Sequence, residues 1–200
     1  EKGFKDYVCK KKFVPRAFYN KKQVESITGV YFPYWHYNTR LEGKMQGEAR
    51  NVRVWRTGNT EYTETKYYQV SREGDVKLEN LTENALGKAN QELICGVMPY
   101  DFKDVKKFQL GFLSGFLAEK RDIEKKQIEK KVQQEARESA EKLMREQING
   151  YSSVSVKKAD FRALKEKWSY TLLPVWTITY KAKNGKIYYF SMNGQTGKVY

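Results

Sequence analysis

Apolar and polar residues alternate along much of this chain, the period expected where side chains point to opposite faces of a sheet. Residues 30–40 make a first strand pattern, and 49–56, 61–71 and 76–81 make three more. Turn residues separate them: Glu42-Gly43 and Gly47, then Thr57-Gly58-Asn59, then Arg72 to Asp75. This spacing predicts an antiparallel meander. The period then changes. Ile128, Val132, Ala136, Ala140, Leu143 or Met144, and Ile148 fall on a 3.6-residue stripe, predicting one long helix with Asp122 as N-cap and Asn149-Gly150 as its stop. Its outer face mixes both charge signs, as a solvated surface does. Strand patterns return at 151–156, 170–182 and 187–193, the last two arranged around Asn184-Gly185, and Gly194 to Gly197 forms a closing turn. A helix followed by antiparallel strands predicts an α+β fold. It reads as one module over 1–200, with two candidate subdomains, 1–81 and 82–200.

Other segments are less periodic. Residues 4–12 fit a short amphipathic helix that Pro15 interrupts, and 21–28 carry no clear period. Residues 85–95 fit a helix or a loop. The basic stretch 157–167 fits no element. Residues 108–118 (FQLGFLSGFLA) are the most hydrophobic run. They are too short and too glycine-interrupted to span a bilayer, and are read as a buried turn or core segment rather than a membrane or partner contact.

One pattern occurs twice. Tyr31-Phe32-Pro33-Tyr34-Trp35 and Leu172-Leu173-Pro174-Val175-Trp176 each place a proline two residues before a tryptophan and lead into an alternating run. This predicts either two related hairpins or one sheet that draws strands from both ends of the chain. It also predicts that Trp35 and Trp176 are largely buried, each near its preceding proline.

Composition narrows the class. Fifteen Tyr, ten Phe and four Trp supply ample core material, which excludes global disorder. No run approaches the roughly 18 apolar residues of a membrane span. The chain opens on Glu1 and closes in a strand pattern, and is read as a piece of a longer protein. The formal net charge of +14 is uneven: +8 over 1–60, −2 over 61–118, +1 over 119–146 and +7 over 147–200. The excess lies in the two segments that carry the repeat, so a shared sheet would have one positive face.

Catalytic chemistry finds little support. The two cysteines, Cys9 and Cys95, are expected to be reduced, and with His36 they fall short of a structural zinc site. A thiol–imidazole pair around His36 lacks any protease signature, so no triad is expected there. Glu61, Glu64, Asp101 and Asp104 are read as solvated carboxylates, and no phosphate loop is present. No catalytic or metal-binding residue is assigned. Basic residues do interleave with aromatics. Arg50, Arg53, Arg56, Lys181, Lys183 and Lys186 are candidate contacts to a polyanion, and Trp55 is a candidate stacking residue. The competing view makes Trp55 a core residue and the cations ordinary solvated positions.

A set of segments, in order, resembles a bacterial family. They are GVYFPYW at 29–35, EYTETKYY at 61–68, Pro99-Tyr100-Asp101-Phe102, LSGFLA at 113–118 and FSMNGQTGK at 190–198. Together they look like the C-terminal part of the TFIIB-type zinc-ribbon-containing proteins. The resemblance implies an upstream zinc ribbon and, in many members, downstream hydrophobic helices, but no reaction, substrate or zinc ligand within this fragment. The closing turn also resembles the one that ends small PepSY-type domains. The resulting expectation is a non-enzymatic interaction module, without a cofactor of its own, cytoplasmic and at the cytoplasmic face of a membrane. Its partner would be a protein or an anionic membrane surface. The alternatives are a nucleic-acid-binding domain and an enzyme with a cleft between the sheet regions.

Overall fold

A computed structural model describes residues 24–88, 96–181, 185 and 187–199. The fold is α+β and dominated by sheet. Its elements are β1 (Val24–Thr57), β2 (Thr60–Asn84), β3 (Phe116–Ala118), α1 (Lys125–Glu146), β4 (Ser153–Lys181) and β5 (Ile187–Asn193). Two 3-10 turns, Phe102–Asp104 and Leu110–Leu113, precede β3. The strand order is β2-β1-β4-β5, and β3 pairs with β1. The strands from the two ends of the chain therefore share one sheet. The short helix expected at 4–12 lies outside the described residues, as does most of 85–95.

The expected meander is replaced by long strands. Gly58 has a φ of +61°, and this tight turn joins β1 to β2 as predicted. The other turns proposed for the meander do not form, whereas the closing turn at Gly194 to Gly197 does. Glu42, Gly43 and Gly47 lie inside β1, and Arg72 to Asp75 lie inside β2. The two glycines answer to packing instead. A Cβ on Gly43 would come within 2.6 Å of Met144 Sδ and Phe161, and one on Gly47 within 2.4 Å of the Ser155 carbonyl oxygen. These glycines let side chains and a neighbouring backbone approach β1. The unassigned basic stretch 157–167 is simply part of β4.

The chain divides into two compact units that are not the contiguous halves 1–81 and 82–200. Unit 1 gathers the stretch ending at Trp35, residues 82–127 and the stretch from Tyr170 onward. Unit 2 gathers residues 36–81 and 128–169.

In unit 2 the helix stripe behaves as its sequence predicts. Ile128, Val132, Ala136, Ala140 and Met144 are buried, matching the alternate positions Tyr37, Leu41, Met45 and Ala49 of β1. Trp168 packs on Tyr37 with ring centroids 4.4 Å apart. The Tyr37 hydroxyl donates to Glu166, whose carboxylate also accepts from Gln133 Nε2 at 3.0 Å. Burial and the Glu166 carboxylate push the Tyr37 phenol up to about 12. The opposite face of β1 carries ion pairs to its neighbours: Arg40 with Asp75, Lys44 with Glu73, Arg162 with Glu42 and Lys157 with Glu48. Asp122 is not the helix N-cap. Its carboxylate accepts from the backbone amides of Gly87 and Lys88, and Gln127 Oε1 instead accepts from the Glu124 amide at 2.6 Å, one half of a capping box.

In unit 1 the core contains Tyr34, Leu86, Val97, Tyr100, Leu173 and Val175. The repeated pattern thus meets itself in one cluster. The residue between proline and tryptophan is the buried one: Tyr34 is 2% exposed and Val175 is 0%. Trp35 and Trp176, one step further along alternating strands, are largely covered, as expected, though less completely than Tyr34 and Val175. Trp35 Nε1 donates to the Ile123 carbonyl at 2.9 Å, and Trp176 stands edge-on to Phe116 at 4.9 Å. Proline offers no N–H to a ladder, but each proline carbonyl is used. Pro33 accepts from the Ala85 amide at 3.0 Å, and Pro174 from the Gly194 amide and the Tyr100 hydroxyl, both at 2.8 Å.

Asn193 closes this unit. Its side chain is fully buried and uses its whole hydrogen-bonding capacity. Nδ2 donates to the carbonyls of Val97 at 2.8 Å and Pro99 at 3.0 Å. Oδ1 accepts from the amides of Gln195 and Thr196, each at 2.8 Å.

Two outcomes test this account. Asn193→Ala leaves several buried groups unpaired, each worth about 1–3 kcal/mol. A loss of roughly 2–4 kcal/mol in urea unfolding is expected, and a change near zero would remove Asn193 from this role. Tyr37 is neutral in the folded protein up to a pH near 12, while in the unfolded chain it ionises near 10. Its contribution is therefore complete below pH 10 and fades as pH rises toward 12. Burial raises Tyr100 in the same direction. Tyr37→Phe is expected to flatten, without abolishing, the alkaline fall in stability measured by denaturant midpoints.

Candidate functional site

The 108–118 run contradicts its reading as a buried core segment. Leu110 is 79% exposed, Leu117 61%, Phe108 53% and Phe112 39%. Both ends of the run are held. On one side, Asp101 caps the first 3-10 turn by accepting from the Lys103 amide at 2.9 Å. Gln195, from the closing turn, accepts from the Asp101 amide at 2.7 Å and donates to the Asp101 carbonyl and Asp104 Oδ2, both at 3.0 Å. On the other side, Gly115 turns at a φ of +82° into β3, which pairs in parallel with β1, Gly29 opposite Phe116. A Cβ on Gly29 would lie 2.6 Å from the Phe116 ring, so this strand needs glycine there. Between the two anchors the apolar tip meets solvent.

Behind the tip, unit 1 holds a groove of about 850 Å³. One wall comes from the tip, with Val105, Phe108 and Phe112, and the other from β4, with Tyr170, Leu172 and Pro174. Asp101, Asp104 and Lys106 also line it. Asp101 and Asp104, set aside as solvated carboxylates, are thus gathered at one groove through Gln195. Sequence reading missed this because the contact joins residues more than 90 positions apart. The FSMNGQTGK segment was the available signal. Close by, Arg121 lies over the rings of Trp35 and Tyr170, 5.4 and 5.0 Å from their centroids, and pairs with Glu124 at 2.9 Å.

The described candidate polyanion residues, Arg50, Arg53, Arg56 and Lys181, are exposed. In unit 2, Trp55 is 41% exposed and stacks on Tyr62 with centroids 5.6 Å apart and planes 14° from parallel. This overturns the view of Trp55 as a core residue. Arg53 lies over the same ring. Arg50 and Arg56 fall on the opposite face of β1, by strand alternation. Arg50 is engaged with Ser153 Oγ at 2.8 Å. Lys181 is exposed; Lys183 and Lys186 lie outside the described residues.

His36 sits in a hydrogen-bonded chain across three strands. Its Nδ1 is 3.1 Å from Ser169 Oγ, and its Nε2 is 3.0 Å from Asn80 Oδ1. The backbone amide of Asn80, a residue at a φ of +63°, donates to Asn38 Oδ1 at 2.7 Å. The three groups come from β4, β1 and β2, on the face that carries the ion pairs, and form one more cross-strand rung of it. The groove does not include them. Among the described residues no three His, Cys, Asp or Glu side chains come together as a metal-ligand group, so none fits the zinc of a ribbon, and no helix is long and apolar enough to cross a membrane. Cys9 and Cys95 lie outside the described residues.

No family model matches this chain, and no solved structure matches it. The whole chain aligns with the uncharacterized protein YdjG of Bacillus subtilis (strain 168), at 28% identity over 199 residues. The chain spans 58% of that relative's length.

Proposed function

We propose that this chain is a non-enzymatic interaction module that docks on an anionic membrane surface, within a larger protein of the zinc-ribbon type and at the cytoplasmic face of the membrane. The observation that carries the reading is the exposed apolar tip of unit 1. Folded domains rarely leave several large apolar side chains together in water without a surface to meet. From Val105 to Ala118 the tip carries Lys106 and Lys107 and no carboxylate, and its flanks, Lys103-Asp104 and Glu119-Lys120, are balanced in charge. Its apolar side chains would enter the headgroup boundary, each contributing up to about 1.5–3 kcal/mol when fully buried. Each nearby lysine adds about 1 kcal/mol against an anionic surface. The anchoring of both ends means that little order has to be created on docking. The division of Arg50, Arg53 and Arg56 between two faces of β1 and the stacking of Trp55 on Tyr62 make the nucleic-acid reading the weaker of the two.

The test is co-sedimentation with vesicles of stated composition. Binding to phosphatidylglycerol-containing vesicles is expected to exceed binding to pure phosphatidylcholine, and to weaken as salt rises. Leu110→Ser is expected to lower it roughly tenfold or more, while Trp55→Ala leaves it unchanged. Absent vesicle binding, together with single-stranded oligonucleotide binding that survives physiological salt and is lost in Trp55→Ala, would replace this reading with the nucleic-acid one.

A further inference from the structure

We infer that the groove of unit 1 is a binding site for a zwitterionic amphiphile, with the alkyl chain against its apolar walls and the ammonium and phosphate groups at the turn that carries Asp101, Asp104 and Lys106. The inference rests on the membrane reading only for the source of the ligand.

Size and lining set the tail. About 850 Å³ falls within the roughly 300–1,000 Å³ of small-molecule sites. Phe108 and Phe112 face the groove from the tip, and Leu172 and Pro174 from β4. This is a surface for a chain of methylene groups. The tip also presents Leu110 to solvent outside the groove, so a chain leaving a bilayer would pass from lipid to protein along one apolar segment.

Charge sets the head. Asp101 and Asp104 line the groove, are exposed and make no ion pair among the described residues. One oxygen of Asp101 accepts from the Lys103 amide and one of Asp104 from Gln195 Nε2, which leaves a second oxygen on each for a ligand. Lys106 lines the same groove, also without an ion pair among the described residues. A purely anionic head would face two carboxylates, and a purely cationic one would face Lys106. A head carrying both signs complements all three. Tyr31 and Tyr170 add aromatic edges to the apolar lining.

Dodecylphosphocholine, kept below its micelle concentration, is the probe, measured by titration calorimetry on the full chain. Dodecyl maltoside and laurate carry a similar tail on a neutral and an anionic head. Saturable one-to-one binding of dodecylphosphocholine is expected, roughly tenfold or more tighter than either comparator. The Asp101→Asn, Asp104→Asn double variant is expected to bring it down to the maltoside value. Val105→Trp, at a half-exposed groove position, is expected to abolish binding of all three while the unfolding midpoint holds. Leu110→Ser, outside the groove, is expected to leave dodecylphosphocholine binding intact. No saturable site, or equal affinity for the three heads, overturns the inference even where vesicle binding is observed. A dodecylphosphocholine site in a chain that ignores vesicles sustains the inference and overturns the membrane reading instead.

Discussion

One buried carboxamide governs the architecture of unit 1. Asn193 stands at the end of β5, opposite Val175 in the antiparallel pair with β4. It bonds to the Val97–Pro99 segment and to the turn that follows it. A carboxylate in its place could not donate to the two carbonyls, and an aliphatic side chain could do nothing for any of the four groups. With the segment at 97–99 held, Tyr100 is positioned to reach Pro174, and Asp101 to receive Gln195. The groove and its apolar tip are therefore downstream of this residue, although Asn193 does not line the groove.

The two prolines show how this chain reaches such a junction with few special residues. A proline inside a strand costs a ladder bond, so each marks a place where the sheet is interrupted. Here the interruption is used to admit another segment. Ala85 joins β1 at Pro33, and Gly194 joins β4 at Pro174. A Cβ on Gly194 would lie 2.7 Å from the Pro174 carbonyl oxygen, so the approach depends on glycine. The repeated pattern is thus a device for branching a sheet toward a core.

This explains which parts of the fold the sequence disclosed. The helix stripe was legible because Ile128, Val132, Ala136, Ala140 and Met144 follow a purely local period. The turn at Gly58 was legible because its conformation is local too. The shared sheet was visible as one of two alternatives, since the doubled pattern cannot say whether its copies pair. Gly43, Gly47 and Gly74 misled. Glycine signals a turn by its conformational freedom, but at Gly43 and Gly47 it is present for lack of a Cβ, and only the neighbours reveal that. Trp35 and Trp176 were rightly read as largely covered, but the deeper neighbours Tyr34 and Val175 were not singled out, because alternation fixes two faces without saying which is inner. The apolar run at 108–118 was misjudged on the ordinary inference that hydrophobic segments go inside. What decides its exposure is the pair of anchors at Gln195 and β3, and both arise from contacts distant in sequence.

The residue that closes unit 1 is followed by glycine, and this has a chemical consequence. In an open chain, asparagine before glycine is the pair most prone to cyclise, because the glycine amide attacks the side-chain carbonyl and ammonia leaves. In the folded unit that amide is occupied by Pro174, and the carboxamide is fixed by its four partners and shut away from water. The fold thus protects the group on which it depends. Each passage through the unfolded state exposes Asn193 to conversion into aspartate or isoaspartate, products that lack the donor needed to refold. For this chain, time spent unfolded is irreversible ageing.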